Sequence, residues 1–274
     1  MTYNILDGGE NREAYILEIL QTAKPDVIIL QEIFTEEFLV LLSHSLAMSY
    51  CLDGGNRKRK VALLSRLPVL AFKSYQPGFP IWRNFIEAEI EIQPGKSAWF
   101  FGVHPVANLG VLFEFWRFCE AVYVTNHVRR FSNKPCLIAG DFNAIAPGET
   151  VRTENMPNWL KWIIYLQGNR VYQYSIRRFS SAGFTDCFRL LNADTGFTLP
   201  PPDPNSRLDY IFVNNRMKKN LRKCWVVREP DQVNFASDHY PVMAEFDFAV
   251  SADDKHTSGF LNDHRDDSRF LSRD

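Results

Sequence analysis

The stretch Gly140-Asp141-Phe142-Asn143-Ala144 follows the apolar run Cys136-Leu137-Ile138-Ala139, so an acid and an amide stand where a buried strand breaks into a loop. The two-residue repeat of a pleated strand directs Asp141 and Asn143 to one side. A carboxylate beside an amide that both donates and accepts suits holding a water nucleophile against a phosphoryl group. The same two residues also make ordinary turns. Complementary groups at other strand ends give the pair its weight. Asn4 closes the first strand, and Glu32 follows Val27-Ile28-Ile29-Leu30. His104 closes the strand at 98–103, Asp209 opens the strand at 208–213, and Ser237-Asp238-His239 precedes the last strand. Each has a structural reading on its own. Glu32 could cap the helix that begins near Thr35, and His104-Pro105 could be a turn. Asp209 could be an exposed strand entry, and Asp238-His239 a loop pair. As a set they hold several carboxylates, two histidines and two asparagines, with no serine or cysteine in a nucleophile elbow. That is the inventory for metal-assisted hydrolysis by water.

Alternating strands and amphipathic segments must position these groups. Ile16, Ile19, Leu20 and Ala23 recur at helical spacing before Lys24-Pro25 stops the helix. A helix is expected over 35–46, with strands at 49–52 and 61–65 and a hairpin partner for the latter at 68–72. Residues 85–92 alternate, and 98–103 read as buried strand. Val111, Phe115, Phe118, Cys119 and Val122 mark a long helix over 111–128 with those residues toward the core. Trp159, Trp162, Ile163 and Leu166 point to another helix and residues 171–178 to a further one, with Gly168-Asn169 between them. Strands at 208–213, 224–227 and 242–248 close the set. Many strands, few helices and no strict βαβ alternation predict two packed mixed sheets flanked by helices, an α/β four-layer α/β/β/α sandwich.

The 274 residues are 46% hydrophobic, with no linker in the first 250, so one catalytic domain over 1–250 is expected. Residues 251–274 are almost wholly polar and read as a disordered tail. A formal net charge of −1 gives no broad attraction to nucleic acid, which leaves room for a local basic patch. Five cysteines without C-x-x-C spacing read as reduced thiols in a cytoplasmic protein. No apolar run is long enough for a membrane span. A monomer is expected.

The ordered elements Tyr3-Asn4, Leu30-Gln31-Glu32, His104, Gly140-Asp141-Phe142-Asn143, Arg207-Leu208-Asp209-Tyr210 and Ser237-Asp238-His239 resemble the endonuclease/exonuclease/phosphatase superfamily across residues 1–248. That group includes exonuclease III, pancreatic-type deoxyribonuclease, neutral sphingomyelinase and inositol polyphosphate phosphatase. The resemblance implies Mg2+, with Mn2+ as a substitute, held by Glu32, Asn4 and Asp238; hard cations favour carboxylate oxygen. It implies that Asp141 orients or deprotonates water while Asn143 holds it or a phosphate oxygen. His239 would contact the phosphate, with Asp209 on its other ring nitrogen, and His104 would stabilise the pentacovalent phosphate or the leaving oxygen. Two departures stand out. Asp7 lies three residues after Asn4, where exonuclease III-like members carry an acid two residues on, so that role is not transferred. Those repair nucleases also have a tyrosine where this chain has His104, which favours the phosphodiesterase and phosphatase branches.

Arg83 is a candidate phosphate contact, or a surface arginine. Arg57-Lys58-Arg59-Lys60 could follow a phosphate backbone, or be a solvated loop. Trp159, Trp162, Tyr165, Tyr172 and Tyr174, with Arg170, Arg177 and Arg178 among them, could stack bases or enter a lipid interface; helical spacing favours the core for most of these aromatics. Residues 183–189 fit the scaffold of the superfamily. The expected activity is magnesium-dependent hydrolysis of a phosphoester. A phosphodiesterase or nuclease comes first, then a lipid-headgroup phosphodiesterase or inositol phosphatase. A non-catalytic phosphate-binding module on the same fold is the competing class. The partner is the phosphoester itself, nucleic acid being one candidate.

Overall fold

The computed structural model describes residues 1–53, 59–79, 81, 83–154, 156–168 and 171–248. The strands are β1 (Thr2–Asn4), β2 (Val27–Ile33), β3 (Ser49–Leu52), β4 (Lys60–Ser65), β5 (Val69–Tyr75) and β6 (Phe85–Gln93), followed by β7 (Lys96–Val103), β8 (Cys136–Asp141), β9 (Thr185–Asp186), β10 (Asp209–Val213), β11 (Leu221–Val226) and β12 (Val242–Phe246). They form two six-stranded sheets, ordered β11-β12-β1-β2-β4-β3 and β5-β6-β7-β8-β10-β9. The pairs β1–β2 and β7–β8 are parallel and the other paired strands antiparallel, so both sheets are mixed. The main helices are α1 (Glu13–Ala23), α2 (Glu36–Leu46), α3 (Val111–Val128), α4 (Asn158–Leu166) and α5 (Tyr174–Ser181).

Two-residue alternation builds the layers. Ile28 and Leu30 of β2 face α1 and α2, where Ile16, Ile19, Leu39 and Leu42 meet them, while Ile29 turns inward between the sheets. On β8, Leu137 and Ala139 point to that same inter-sheet core, and Cys136 and Ile138 meet Val124 and Val128 of α3 and Phe179 of α5. A near-continuous apolar run such as Cys136-Leu137-Ile138-Ala139 is what a strand buried on both faces requires. The expected four-layer sandwich is therefore the fold observed. Gly140 lets β8 lie against β7, since a Cβ there would stand 1.9 Å from the carbonyl oxygen of Val103.

Three expectations are corrected. The segment at 68–72 is not the hairpin partner of β4; it belongs to β5, which pairs with β6 in the second sheet, while β4 pairs with β2 and β3. The second helix of the irregular third starts at Tyr174 rather than 171. The most instructive error concerns α3, whose first half is inverted. Glu114, Arg117 and Glu120 face inward, while Val111, Leu112, Phe115 and Phe118 are exposed. Periodicity finds an apolar stripe but not the direction it faces. The inward charges are all satisfied: Arg117 bonds Glu114 at 3.0 Å and the carbonyls of Val106 and Asn108, and Glu114 accepts from Ser175. The five cysteines are free thiols. The 251–274 segment, Arg57, Lys58 and Arg170 lie outside the described residues.

Candidate active site

The site forms along one rim because the parallel pairs β1–β2 and β7–β8 bring their carboxyl ends there. Asn4 ends β1, His104 follows β7 and Asp141 ends β8. The antiparallel β10 enters at the same level, with Asp209 opposite Asp141 in register. Glu32 reaches the rim by a different device. The pairing of β2 with β4 shifts register between Gln31 and Ile33, and Glu32 sits there at φ 65°, a left-handed conformation unusual outside glycine. The bulge lets Glu32 aim at the rim while the neighbouring Gln31 bonds Thr2.

Asp141 is the hub. Its Oδ2 accepts from Asn4 Nδ2 at 3.0 Å and from Asn143 Nδ2 at 3.1 Å, and its Oδ1 accepts the Asn143 backbone N–H at 2.8 Å. Asp141 and Asn143 thus converge as expected, though by a tight turn with Asn143 at φ 51° rather than by the pleat. Nε2 of His104 lies 3.6 Å from Asp141 and 3.7 Å from Glu32, and Nε2 of His239 lies 3.7 Å from Asp141. Glu32 also accepts the Asp7 backbone N–H at 2.9 Å, and Arg59 closes the outer side at 3.5 Å. Asp7 itself pairs with Arg59 at 2.9 Å, so the basic loop ends at the rim.

The histidines carry different charges. Burial disfavours the proton on His239, but the carboxylates of Asp209 and Asp141 outweigh it and push its pKa up to about 10. The 2.8 Å bond from Nδ1 to Asp209 fixes the imidazolium. Burial, with the charges of Arg83, His239 and Arg59, holds His104 well below the usual range, so it is a neutral imidazole. Burial pushes Asp141 up to about 7, aided by Asp209 and opposed by His239, Asn143 and Asn4. A base poised near neutrality is suited to proton transfer. Asp209→Asn removes the largest charge favouring the His239 proton. If His239 acts as the cation, the alkaline limb of kcat/KM should then move to lower pH; a limb that stays in place would show that Asp209 does not hold the proton.

Asp238 stands at the open edge of the site: its side chain is 45% exposed and lies 3.9 Å from Nε2 of His239. Arg83 donates its backbone N–H to Glu120 at 3.0 Å, and its charge acts on His104, which brings it to the site's edge. Two positioning residues escape a sequence reading. Arg12 gathers the carbonyls of Ile5, Leu6 and Ala236, tying the end of β1 to the loop that carries His239. Glu120 binds the backbone N–H groups of Arg83 and of Val106, two residues after His104. An inward acid on α3 had a signal in the Glu114-Arg117-Glu120 spacing, but nothing in the sequence tells which stripe faces in. Arg12 had no signal.

Donor atoms of Asp141, Asp209 and His239 lie within 4.8 Å of one another, a cluster that could hold a metal ion. His104 Nδ1 and Nε2 and Asp209 Oδ1 are buried and make no hydrogen bond. Orphaned polar atoms beside buried carboxylates fit a site that completes itself with a cation and an oxyanion.

Fold and rim together define a phosphoester hydrolase built on a two-sheet sandwich. The chain belongs to the endonuclease/exonuclease/phosphatase family, whose model matches residues 1–239. Its fold is similar to that of an AP endonuclease from Archaeoglobus fulgidus (17% identity, 90% of this chain and 98% of that one, TM-score 0.72). The 3′ phosphatase NExo from Neisseria, solved bound to a product DNA hairpin, is similar at 20% identity over 90% and 98% of the two chains, with a TM-score of 0.70. The mannosyl-6-phosphatase Bt3783 of Bacteroides thetaiotaomicron is 19% identical over 90% and 98%, at a TM-score of 0.65. No curated protein sequence matches the chain.

Proposed function

We propose that residues 1–250 form a divalent-metal-dependent phosphodiesterase in which water attacks phosphorus directly. The observation that carries this reading is the ring of polar groups around one buried carboxylate: Asn4 and Asn143, which donate to it, and the Nε2 atoms of two histidines, all within 3.7 Å of Asp141. Asp141 takes the water's proton as the new P–O bond forms and the opposite P–O bond breaks. Asn143 holds the water or a phosphoryl oxygen. His239, kept charged by Asp209, donates from Nε2 to a phosphoryl oxygen, and the neutral His104 stands where it can steady the leaving side. Arg83 adds positive charge at the substrate's edge.

Mg2+, or Mn2+ in its place, would be held by Glu32 with Asn4, and by Asp238 from the rim. When bound, the cation polarises the phosphoryl group and offsets charge developing on its oxygens. Glu32 suits this role because a hard cation favours carboxylate oxygen. The DNA hairpin held by the Neisseria protein supports nucleic acid as one substrate class. A cytoplasmic monomer remains the expectation; among the described residues no helix is long and apolar enough to cross a membrane.

The test is hydrolysis of bis(4-nitrophenyl) phosphate, a diester that demands no particular headgroup. EDTA should abolish turnover, and Mg2+ or Mn2+ should restore it. Glu32→Gln should raise the cation concentration needed by at least the roughly 10–100-fold that loss of an outer-shell partner costs. Turnover indifferent to EDTA would remove the metal from the reaction, and inactivity of the wild type with both cations would remove the hydrolase reading.

A further inference from the structure

Two features singled out in the sequence end in different places. Trp159, Trp162 and Tyr165, which helical spacing favoured for the core, are exposed on α4. The basic stretch at 57–60 instead touches the rim through Arg59, and it does so at the carboxylate best suited to a cation. Nε of Arg59 lies 3.5 Å from Oε2 of Glu32, and its Nη2 bonds Oδ1 of Asp7 at 2.9 Å. The same Oε2 accepts the Asp7 backbone N–H at 2.9 Å. Oε1 of Glu32 has other neighbours, Asn4 Nδ2 at 3.4 Å and His104 Nε2 at 3.7 Å. Glu32 is thus divided. One oxygen belongs to the inner rim, and Asp7 and Arg59 together span the other.

The bridge is built rather than incidental. Leu6 and Asp7 both hold left-handed backbone, at φ 52° and 43°, a conformation that is costly outside glycine and gathers at functional sites. Arg12 secures the turn through the carbonyls of Ile5 and Leu6, and the Leu6 N–H bonds Asn4 Oδ1 at 3.0 Å. So held, Asp7 gives its N–H to Glu32 and its carboxylate to Arg59. The charge of Arg59 reaches further in as well: after burial and the charges of Arg83 and His239, it helps to keep His104 neutral. Its own hold is light. The side chains of Arg59 and Asp7 are 39% and 54% exposed, and an exposed ion pair contributes little. Arg59 therefore offsets part of the charge of Glu32 without being locked to it.

A phosphoryl group offers the guanidinium a better partner, because its planar fork of donors matches two phosphate oxygens in a charge-assisted, bidentate bond. Glu32, His104 and Asp141 follow one another in steps of 3.7 and 3.6 Å, so an ester placed at Asp141 lies within a side chain's reach of Arg59. Arg59 also competes with a divalent cation for the negative charge of Glu32. We propose that Arg59 is a counter-ion shared by the two ligands: resting on Glu32 and Asp7 it holds cation affinity down, and moving to the phosphoryl group of an arriving ester it leaves Glu32 to the cation. The proposal rests on the metal-dependent reading above and adds to it a residue and a coupling. Cation and phosphate each bind more tightly when the other is present, and by the same factor, since coupling between two sites is reciprocal. The role expected for the basic stretch, to follow a phosphate backbone, becomes for Arg59 the recognition of one phosphoryl group at the rim.

The experiment is calorimetric titration of the full chain with Mg2+, first alone and then with inorganic phosphate in excess. In the wild type, phosphate should lower the Kd for Mg2+ by at least about fivefold, the low end of coupling between sites. Arg59→Gln should bind Mg2+ alone more tightly than the wild type by a similar factor, and phosphate should then change its Kd by less. Arg59→Lys keeps the charge and should bind Mg2+ alone as the wild type does. Lys134→Gln removes a positive charge ahead of β8, at the end away from the rim, and should match the wild type throughout. An Arg59→Gln chain that binds Mg2+ alone no more tightly than the wild type, or that keeps the full effect of phosphate, overturns the proposal and leaves the cation site standing. So does a gain in Arg59→Lys equal to that in Arg59→Gln, which would exclude the charge as the cause. An equal gain in Lys134→Gln also overturns it, since net charge would then be the cause. A wild type that binds no Mg2+, with or without phosphate, removes the reading on which the proposal rests.

Discussion

Asp141→Asn should lower kcat by about 10²–10⁴-fold, the range associated with one general acid–base group, while leaving the protein folded. The substitution keeps the shape of the side chain and an oxygen for the Asn143 backbone N–H at 2.8 Å. It removes the carboxylate placed to accept the water's proton. Stability should hold or rise. Asp141 is 1% exposed and Asp209 lies opposite it in register, so the wild type keeps two acids together out of water. The same crowding sets the pH dependence. With Asp141 pushed up to about 7, activity should increase with pH as its proton leaves, and a bound cation favours the carboxylate and moves that limb lower. Stopped-time assays on the soluble diester and a melting curve test both halves. Activity within threefold of wild type would reject Asp141 as the base.

The largest effect on stability should come from Arg207→Met. Arg207 is 1% exposed, and its guanidinium bonds Glu149 at 2.7 Å and Asp186 at 2.6 Å and lies 4.4 Å from the centre of the Tyr210 ring. Methionine fills much of the volume but leaves Glu149 and Asp186 without the charge between them; Arg189 still reaches Glu149 from outside. Breaking a buried pair from one side typically costs about 3–5 kcal/mol. The loss should appear as a large fall in Tm and denaturant midpoint. Arg207 stands two residues before Asp209, and its carbonyl accepts the Tyr210 hydroxyl at 2.8 Å, so the entry to β10 loosens with it. Glu149→Gln in the same background should recover part of the loss by removing one stranded charge. If Arg207→Met melts with the wild type, the cluster is not what anchors that entry.

Much of this was legible because the fold uses simple repeats. The run at 136–139 is apolar at every position since β8 is covered on both faces, and polar residues just past such runs were visible as strand-end groups. Asn4, Glu32, His104, Asp141, Asn143, Asp209 and His239 stand out as candidates that way, and the structure draws them to one rim. What escaped depended on direction or distance. Glu32 needed a bulge, which no single-strand pattern announces. The outward stripe of α3 and the exposed aromatics of α4 carry the same periodicity as a core-facing helix. Arg12 and Glu120 act through backbone groups far along the chain, Ala236 and Arg83 among them, and a sequence read locally cannot pair them.

One consequence follows from how the rim is divided. Asn4 and Glu32 lie in the first sheet, with His239 in the loop that leads into its strand β12; Asp141 and Asp209 lie in the second, with His104 just past its strand β7; the bonds Asn4–Asp141 and His239–Asp209 cross from one to the other. The candidate site is therefore a seam, and neither half of the sandwich contains the whole of it. A partly loosened state in which each sheet keeps its own hydrogen bonds but slides on the inter-sheet core would retain its strands and lose its chemistry. Turnover then becomes a gauge of how the halves are docked, more sensitive to slippage than any probe of secondary structure.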